Sequence, residues 1–399
     1  MSGPANLIAN KLECPRDAMV FRSLSPEIHE QVEVPKKLYI LGTDGAEIFL
    51  SRRPGHVEDL TVVCPYPRDC GFHKILPFIG GSLTRLDIRC QGEISLSILE
   101  FLPRLEHLTV AAKRITNFPC LPKAPWGEHF MLKTLRLVVT DHIVLPSQLG
   151  SMYPLLERVE IACYSLGCGV ECRFPPGLRH LSINANSFGS NLWVFAMQDL
   201  RNLETFCAEG ARVGCIPHAL QHSDVLKTVR MRDWALAHTA NLDLHILRHV
   251  EVLDLGANDG LTLTDIEGIE FMPNLDSLDL RGCMLFDDTE SDTEDEIGGG
   301  SSSLTTLHLS IMPPRTWLWK FQNLEHVYIH PPGPCRGAEV LLRKANGTDA
   351  EKGHQDEFRT IHIPDSRGGP SFKLHLHVGI RLGIDDVLIL TDYIDCSIY

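Results

Sequence analysis

Positive charge is scarce in this chain: 37 Lys and Arg face 51 Asp and Glu, for a formal net charge of −14. A general binder of nucleic acid or of acidic membranes needs the opposite balance, so neither partner class is expected. Long apolar runs are missing too. No stretch of about eighteen apolar residues occurs, so no membrane-spanning helix is expected. The opening MSGPANLIANKLECPRDAMVF carries Lys11, Glu13, Arg16 and Asp17 where a secretory leader would need an apolar core. Neither a GxxxxGK(S/T) loop, an HExxH helix nor a GxSxG elbow is present, and no enzyme activity, metal or cofactor is expected. Thirteen cysteines make an odd number and include no CxxC pair. They read as reduced, buried thiols, which points to the cytoplasm or the nucleus. Asn346-Gly-Thr348 fits a glycosylation sequon, but without a leader it reads as a turn.

What the chain has in abundance is one short phrase, apolar-x-x-apolar-x-apolar, recurring about every two dozen residues. It reads LTRLDI from Leu83, LEHLTV from Leu105, LKTLRL from Leu132, LERVEI from Leu156 and LRHLSI from Leu178. It continues as LETFCA from Leu203, LKTVRM from Leu226, VEVLDL from Val250, LDSLDL from Leu275, LTTLHL from Leu304 and LEHVYI from Leu324. Weaker copies are PKKLYI from Pro35, VEDLTV from Val57 and FRTIHI from Phe358. Positions four and six are apolar and position five is usually polar, the period-two pattern of a strand with one buried face. One such strand cannot bury that face alone, whereas stacked neighbours can. Three residues before the phrase stands another apolar anchor: Leu102, Tyr153, Leu200, Leu247, Met272 or Phe321. A proline often follows it, as in FLPRL, MYPLL and FMPNL, and stops any preceding helix.

This arrangement resembles the leucine-rich repeat superfamily, in the manner of its intracellular members with irregular repeats, over residues 34–364. The family phrase ends in Asn or Cys at position nine, whose side chain satisfies backbone groups in the turn after the strand. Asn186, Asn258 and Cys283 match, and the other units do not. Cys64, Cys90, Cys163 and Cys207 lie one step earlier or nearby. The resemblance implies an α/β solenoid: a leucine-rich repeat horseshoe with a parallel concave β-sheet and short helices or irregular segments on the convex side. It also implies a non-enzymatic scaffold that binds a protein partner on the concave face.

Three regions are expected: an N-terminal cap at 1–33, about fourteen repeat units at 34–364, and a C-terminal cap at 365–399. Within the first, SLSPEIHEQVEV places Pro26 at the first position of a short helix, with Glu27 and Glu30 near its positive end. The stretch also resembles the first helix of an F-box. That alternative makes residues 1–33 the docking point for a ubiquitin-ligase adaptor and the chain its substrate receptor. At the other end, FKLHLHV and DVLILTDYIDCSIY read as a hairpin that closes the last sheet edge. The run DDTESDTEDEIGGGSSS at 287–303 is too acidic and too poor in apolar residues to order itself, and is expected to loop out. Thr289, Ser291 and Thr293 each precede an acid by three residues and are candidate phosphorylation positions.

Recognition is expected from the odd, outward strand positions. Two patches stand out: Arg85, Asp87, Arg89, Arg136, Arg158 and Glu160, then Arg230, Arg232, Asp254, Asp279 and Arg281. His308, His326 and Tyr328 follow, with His330 and His362 on the same face. Arg, Tyr and His combine reach with rigid planes and directional donors. The competing reading is cross-strand neutralisation, with Arg230 offsetting Asp254 and Arg281 offsetting Asp279. Cys163, Cys168 and Cys172 are spaced like part of a metal site, but the first should lie past a strand and the others on the next connection.

Overall fold

The computed structural model describes residues 36–41, 57–64, 79–118, 131–146, 149–168, 173–188, 200–210, 216–236, 244–283, 303–330, 358–363 and 372–377, apart from 264, 267, 312, 314 and 319. They fall into two compact units divided at Pro175 and Pro176. The first holds β1 (Lys37–Leu41), β2 (Asp59–Cys64), β3 (Arg85–Cys90), β4 (Glu93–Ser95), β5 (His107–Ala112), β6 (Arg114–Thr116), β7 (Thr134–Leu145) and β8 (Arg158–Cys168). The second holds β9 (His180–Phe188), β10 (Thr205–Glu209), β11 (Thr228–Arg232), β12 (Val252–Asp254), β13 (Ser277–Asp279), β14 (Thr306–Leu309), β15 (His326–Ile329), β16 (Phe358–Ile363) and β17 (Phe372–His377).

The repeated phrase becomes a stack of parallel strands in strict register. In the first unit Leu38, Leu60, Leu86, Leu108, Leu135 and Val159 form one row of Cα partners. In the second, Leu181, Phe206, Val229, Leu253, Leu278, Leu307, Val327 and Leu374 form another. Every member of both rows is buried. Full burial of an aliphatic side chain is worth about 1.5–3 kcal/mol, so register is held by these rows: a one-residue slip would expose all of a strand's apolar side chains at once. The architecture is a parallel β-solenoid.

The anchors are buried as well, and each accepts a hydrogen bond that makes a tight turn. Leu105 N donates to Leu102 O at 3.1 Å, Leu156 N to Tyr153 O at 3.1 Å and Val250 N to Leu247 O at 2.9 Å. Proline after the anchor therefore sits at the second turn position, where its fixed φ belongs. Among the described residues the connecting segments hold short helices: single α-turns at Leu149–Met152 and Arg315–Leu318, and 3₁₀ turns such as Leu96–Phe101.

The two units turn the corner after the strand differently. In the first, the chain stays extended: β4 pairs with β6, and β7 pairs with β8 again beyond an irregularity between Val139 and His142. Cys64 and Cys90 are buried register partners there. In the second, position eight is left-handed in four consecutive repeats, at Gly210, Asp233, Ala257 and Gly282. The amides of Gly210, Asp233 and Ala257 donate to the position-seven carbonyls of Arg232, Gly256 and Arg281, and Gly282 N donates to Ser310 Oγ. Gly210 is required, because a Cβ there would lie 2.7 Å from Ala185 O. Asn258 fills the position-nine role. Its Oδ1 accepts from Trp234 N at 2.9 Å and Leu236 N at 3.2 Å, and its Nδ2 donates to Met231 O and Leu255 O. Cys283 Sγ donates to Leu255 O at 3.2 Å. Asn186 does not share this role: it is exposed within β9, which continues straight past the point where the corner would form.

The C-terminal edge also departs from expectation. FRTIHI is not the last parallel strand. β17, the FKLHLH segment, pairs parallel with β15, and β16 pairs antiparallel on the far side of β17. The closing hairpin-like pair is thus β16 with β17. His362 keeps its place by register, opposite Lys373, which is itself opposite His326. Residues 1–33, with the expected cap or F-box-like helix, lie outside the described residues. So do 287–302, which include Thr289, Ser291 and Thr293, and the stretch after His377.

Candidate functional site

On the strands of the first unit, even positions point into the core and odd positions outward. The outward charges pair locally. Arg89 Nη2 donates to Asp87 Oδ2 at 3.0 Å, Arg158 Nε to Glu160 Oε1 at 2.6 Å, and Arg136 Nε lies 3.3 Å from Glu160 Oε2. Arg85 stands 3.9 Å from Asp59. All four arginines remain substantially exposed, so each pair is worth at most about 1 kcal/mol. At the strand starts, Lys37, Asp59, Arg85 and His107 line an open depression of about 350 Å³.

The second unit holds a denser arrangement. Register sets Glu209 opposite Arg232, Asp254 opposite Asp279, and Asp279 opposite His308. Arg232 bridges two strands: its Nε donates to Asp254 Oδ2 at 2.6 Å and its Nη2 to Asp279 Oδ2 at 2.7 Å. Arg281 closes on Asp279 through Nε at 2.9 Å and Nη2 at 2.6 Å, and its backbone N donates to Asp279 Oδ1. Gly256 N donates to Asp254 Oδ1, and a Cβ on Gly256 would press on that same oxygen at 3.2 Å.

Expected as outward recognition residues, Asp254 and Asp279 are instead buried, at 5% and 8% exposed. Cross-strand neutralisation occurs, but through Arg232 rather than Arg230. Arg230 is exposed and forms no ion pair among the described residues. Burial and the neighbouring charge of Asp279 raise the Asp254 pKa against the pull of Arg232. Asp279 is held below the usual carboxylate range: burial opposes this, but the bonds and charge of Arg281, with Arg232, outweigh it. Burial likewise raises Glu209, whose Oε2 accepts from the buried Asn184 Nδ2 at 3.0 Å. Asp279, clamped this way, is a poor general base, because its oxygens already accept several hydrogen bonds.

Beside this cluster lies a stack of rings. His308 is nearly parallel to Tyr328, with centroids 4.8 Å apart, and Tyr328 stacks on His326 at 6.2 Å. His308 Nδ1 shares a hydrogen bond of 3.0 Å with His330 Nε2. Burial lowers the His308 pKa, with Asp279 opposing and Arg281 and Arg232 assisting. Of the cysteines singled out for a metal, Cys163 is buried, its thiol pushed up to about 12 by burial; the side chains of Cys168 and Cys172 lie outside the described residues. Among the described residues, no three His, Cys, Asp or Glu side chains are grouped to hold a metal ion. No helix among them is long and apolar enough to cross a membrane.

Two features were not anticipated. Asn184 and Glu209, both at position seven of their phrases, extend the polar cluster by two strands, and neither was placed in the two outward patches. Position two carries a rim of pairs joining neighbouring repeats: Lys36 with Glu58, Glu106 with Lys133, Arg179 with Glu204, and Lys227 with Glu251. Lining the repeats up by their second residue would have revealed the opposed signs.

No family model matches the chain, and no curated protein matches it. Among solved structures, the chain is similar to a leucine-rich repeat protein of Leptospira interrogans at 14% identity. That match covers 73% of this chain and 88% of the other, with a TM-score of 0.39.

Proposed function

We propose that the chain is a non-enzymatic protein-binding module that grips a protein partner on the outward face of its parallel strands. One observation carries this reading: buried aliphatic rows consume the even positions, while odd positions of successive repeats bring Arg, His and Tyr side chains onto one open face in each unit. A rigid sheet presents such groups with little entropy left to lose on binding. Arg85, Arg89, Arg158 and Arg230 are the contact residues favoured on accessibility, with Arg136, Arg232, Arg281, His308, His326 and Tyr328 half-buried beside them. Of the five cysteines with described side chains, four are buried thiols, which supports a reducing compartment, the cytoplasm or the nucleus.

The test is purification of the tagged chain from its own cells, followed by cross-linking and mass spectrometry of co-eluting proteins. Cross-links should fall on the outward strand positions. Cross-links confined to the connecting segments opposite the strands would overturn the reading.

A further inference from the structure

Resting on that reading, we infer that the second unit recognises an acidic peptide segment through the guanidinium groups around Asp254 and Asp279. The argument lies in which groups are left on top. The two carboxylates form the floor, with side chains 7% and 12% exposed, and their oxygens accept from Arg232, Arg281 and two backbone amides. The cations above them stay accessible: the Arg232 side chain is 25% exposed and that of Arg281 33%. Arg230, one pleat away on β11, is exposed and forms no ion pair among the described residues.

A partner approaching this patch therefore meets guanidinium N–H donors, pre-oriented by buried acids. Bidentate capture of carboxylates is the chemistry that group performs best. Adjacent strands lie about 4.8 Å apart, so a peptide crossing β11 to β13 passes several donors within a few residues. The Tyr328–His308 stack borders the patch and offers flat rings to an apolar or aromatic residue of the same segment. A continuous polyphosphate fits poorly, because the cations are few, each stands beside an acid, and the chain as a whole carries −14.

The experiment is fluorescence anisotropy on the full chain with three labelled probes: a glutamate-rich peptide interspersed with Phe and Gly, its lysine-rich counterpart, and a single-stranded oligonucleotide. The acidic peptide should bind, weaken with added salt, and lose about tenfold in affinity in Arg230→Glu. Arg104→Glu, on an exposed turn of the first unit, should leave that affinity unchanged. Thermal melting of Arg230→Glu should match the parent, since the residue forms no ion pair among the described residues. No binding of the acidic peptide, equal binding by Arg230→Glu, or preference for the oligonucleotide overturns the inference. A co-purified partner that cross-links to the outward strand face of the second unit yet ignores Arg230→Glu defeats the acidic-peptide assignment alone. Absence of any cross-link to outward positions defeats the module reading itself.

Discussion

The two units solve one problem, how to leave a strand and begin the next turn of the solenoid, by different chemistry. The first keeps the backbone extended and lets neighbouring strands continue to satisfy it, with aliphatic side chains and thiols filling the interior. The second bends sharply through a left-handed residue and satisfies the bend with Asn258 and Cys283. Their outward charges differ in parallel. In the first unit ions pair in the open, while in the second the carboxylates sink beneath arginines. A buried hydrogen-bonded polar group is costly to disturb and an exposed ion pair is cheap, so the second unit should be the more sensitive to polar substitutions.

The largest effect should come from Asn258→Ala, which strands the buried Trp234 and Leu236 amides, takes the side-chain donor from Met231 O and leaves Leu255 O only the weak Cys283 thiol. We expect a loss of about 3 kcal/mol in urea unfolding, against less than about 1 kcal/mol for Cys90→Ala in the first unit. Equal losses would abolish the contrast between the corners. Next, Asp279→Ala leaves Arg232 and Arg281 without their shared acceptor and should cost about 2 kcal/mol, whereas Asp87→Ala, which frees only the exposed Arg89, should cost under about 0.5 kcal/mol.

A smaller effect is expected with pH. His308 has its pKa lowered in the folded chain, chiefly by burial, so between that value and about 6.5 the unfolded chain binds more protons. Its contribution to stability is present above about pH 6.5 and is lost as the pH falls below it. Asp254, with a raised pKa, acts in the opposite sense: as the pH falls through its folded pKa, the folded state gains the proton more readily. His308→Gln separates the two, and its melting temperature should fall less than the parent's between neutral pH and pH 5. An identical fall would remove His308 as the cause. Smallest of all, Ala257→Gly should stabilise by a few tenths of a kcal/mol, up to about 0.5, because Ala257 holds φ at 59° without a glycine. Calorimetry that shows destabilisation would mean Ala257 contributes packing that outweighs its backbone strain.

Much of this was legible beforehand. The period-two phrase predicted the strands, their buried positions and their parallel stacking, since aliphatic side chains at fixed intervals admit few other ways to leave water. The anchors were equally readable, and Asn258 and Cys283 stood at the expected place. Asn186 had the right residue at the right interval but the wrong backbone, because β9 runs on where the second unit elsewhere bends. FRTIHI had the right pattern and the wrong neighbour. A strand's apolar alternation is the same whether it pairs parallel or antiparallel, so only the assembled edge could place β17 beside β15. The acidic floor was harder still, since Asp254 occupies the position that in other repeats faces solvent.

Sequence by itself therefore determined the repeating strand, its inward face and the residue types set along its outward one. These follow from local alternation and the cost of leaving aliphatic groups in water. Tertiary structure alone decided which charges became partners. Arg232 reaches Asp279 two strands away, and Arg230, nearer to Asp254 in register, does not. That choice depends on the length and direction of side chains across a pleated sheet and on the close passage of Gly256, which no spacing along the chain encodes.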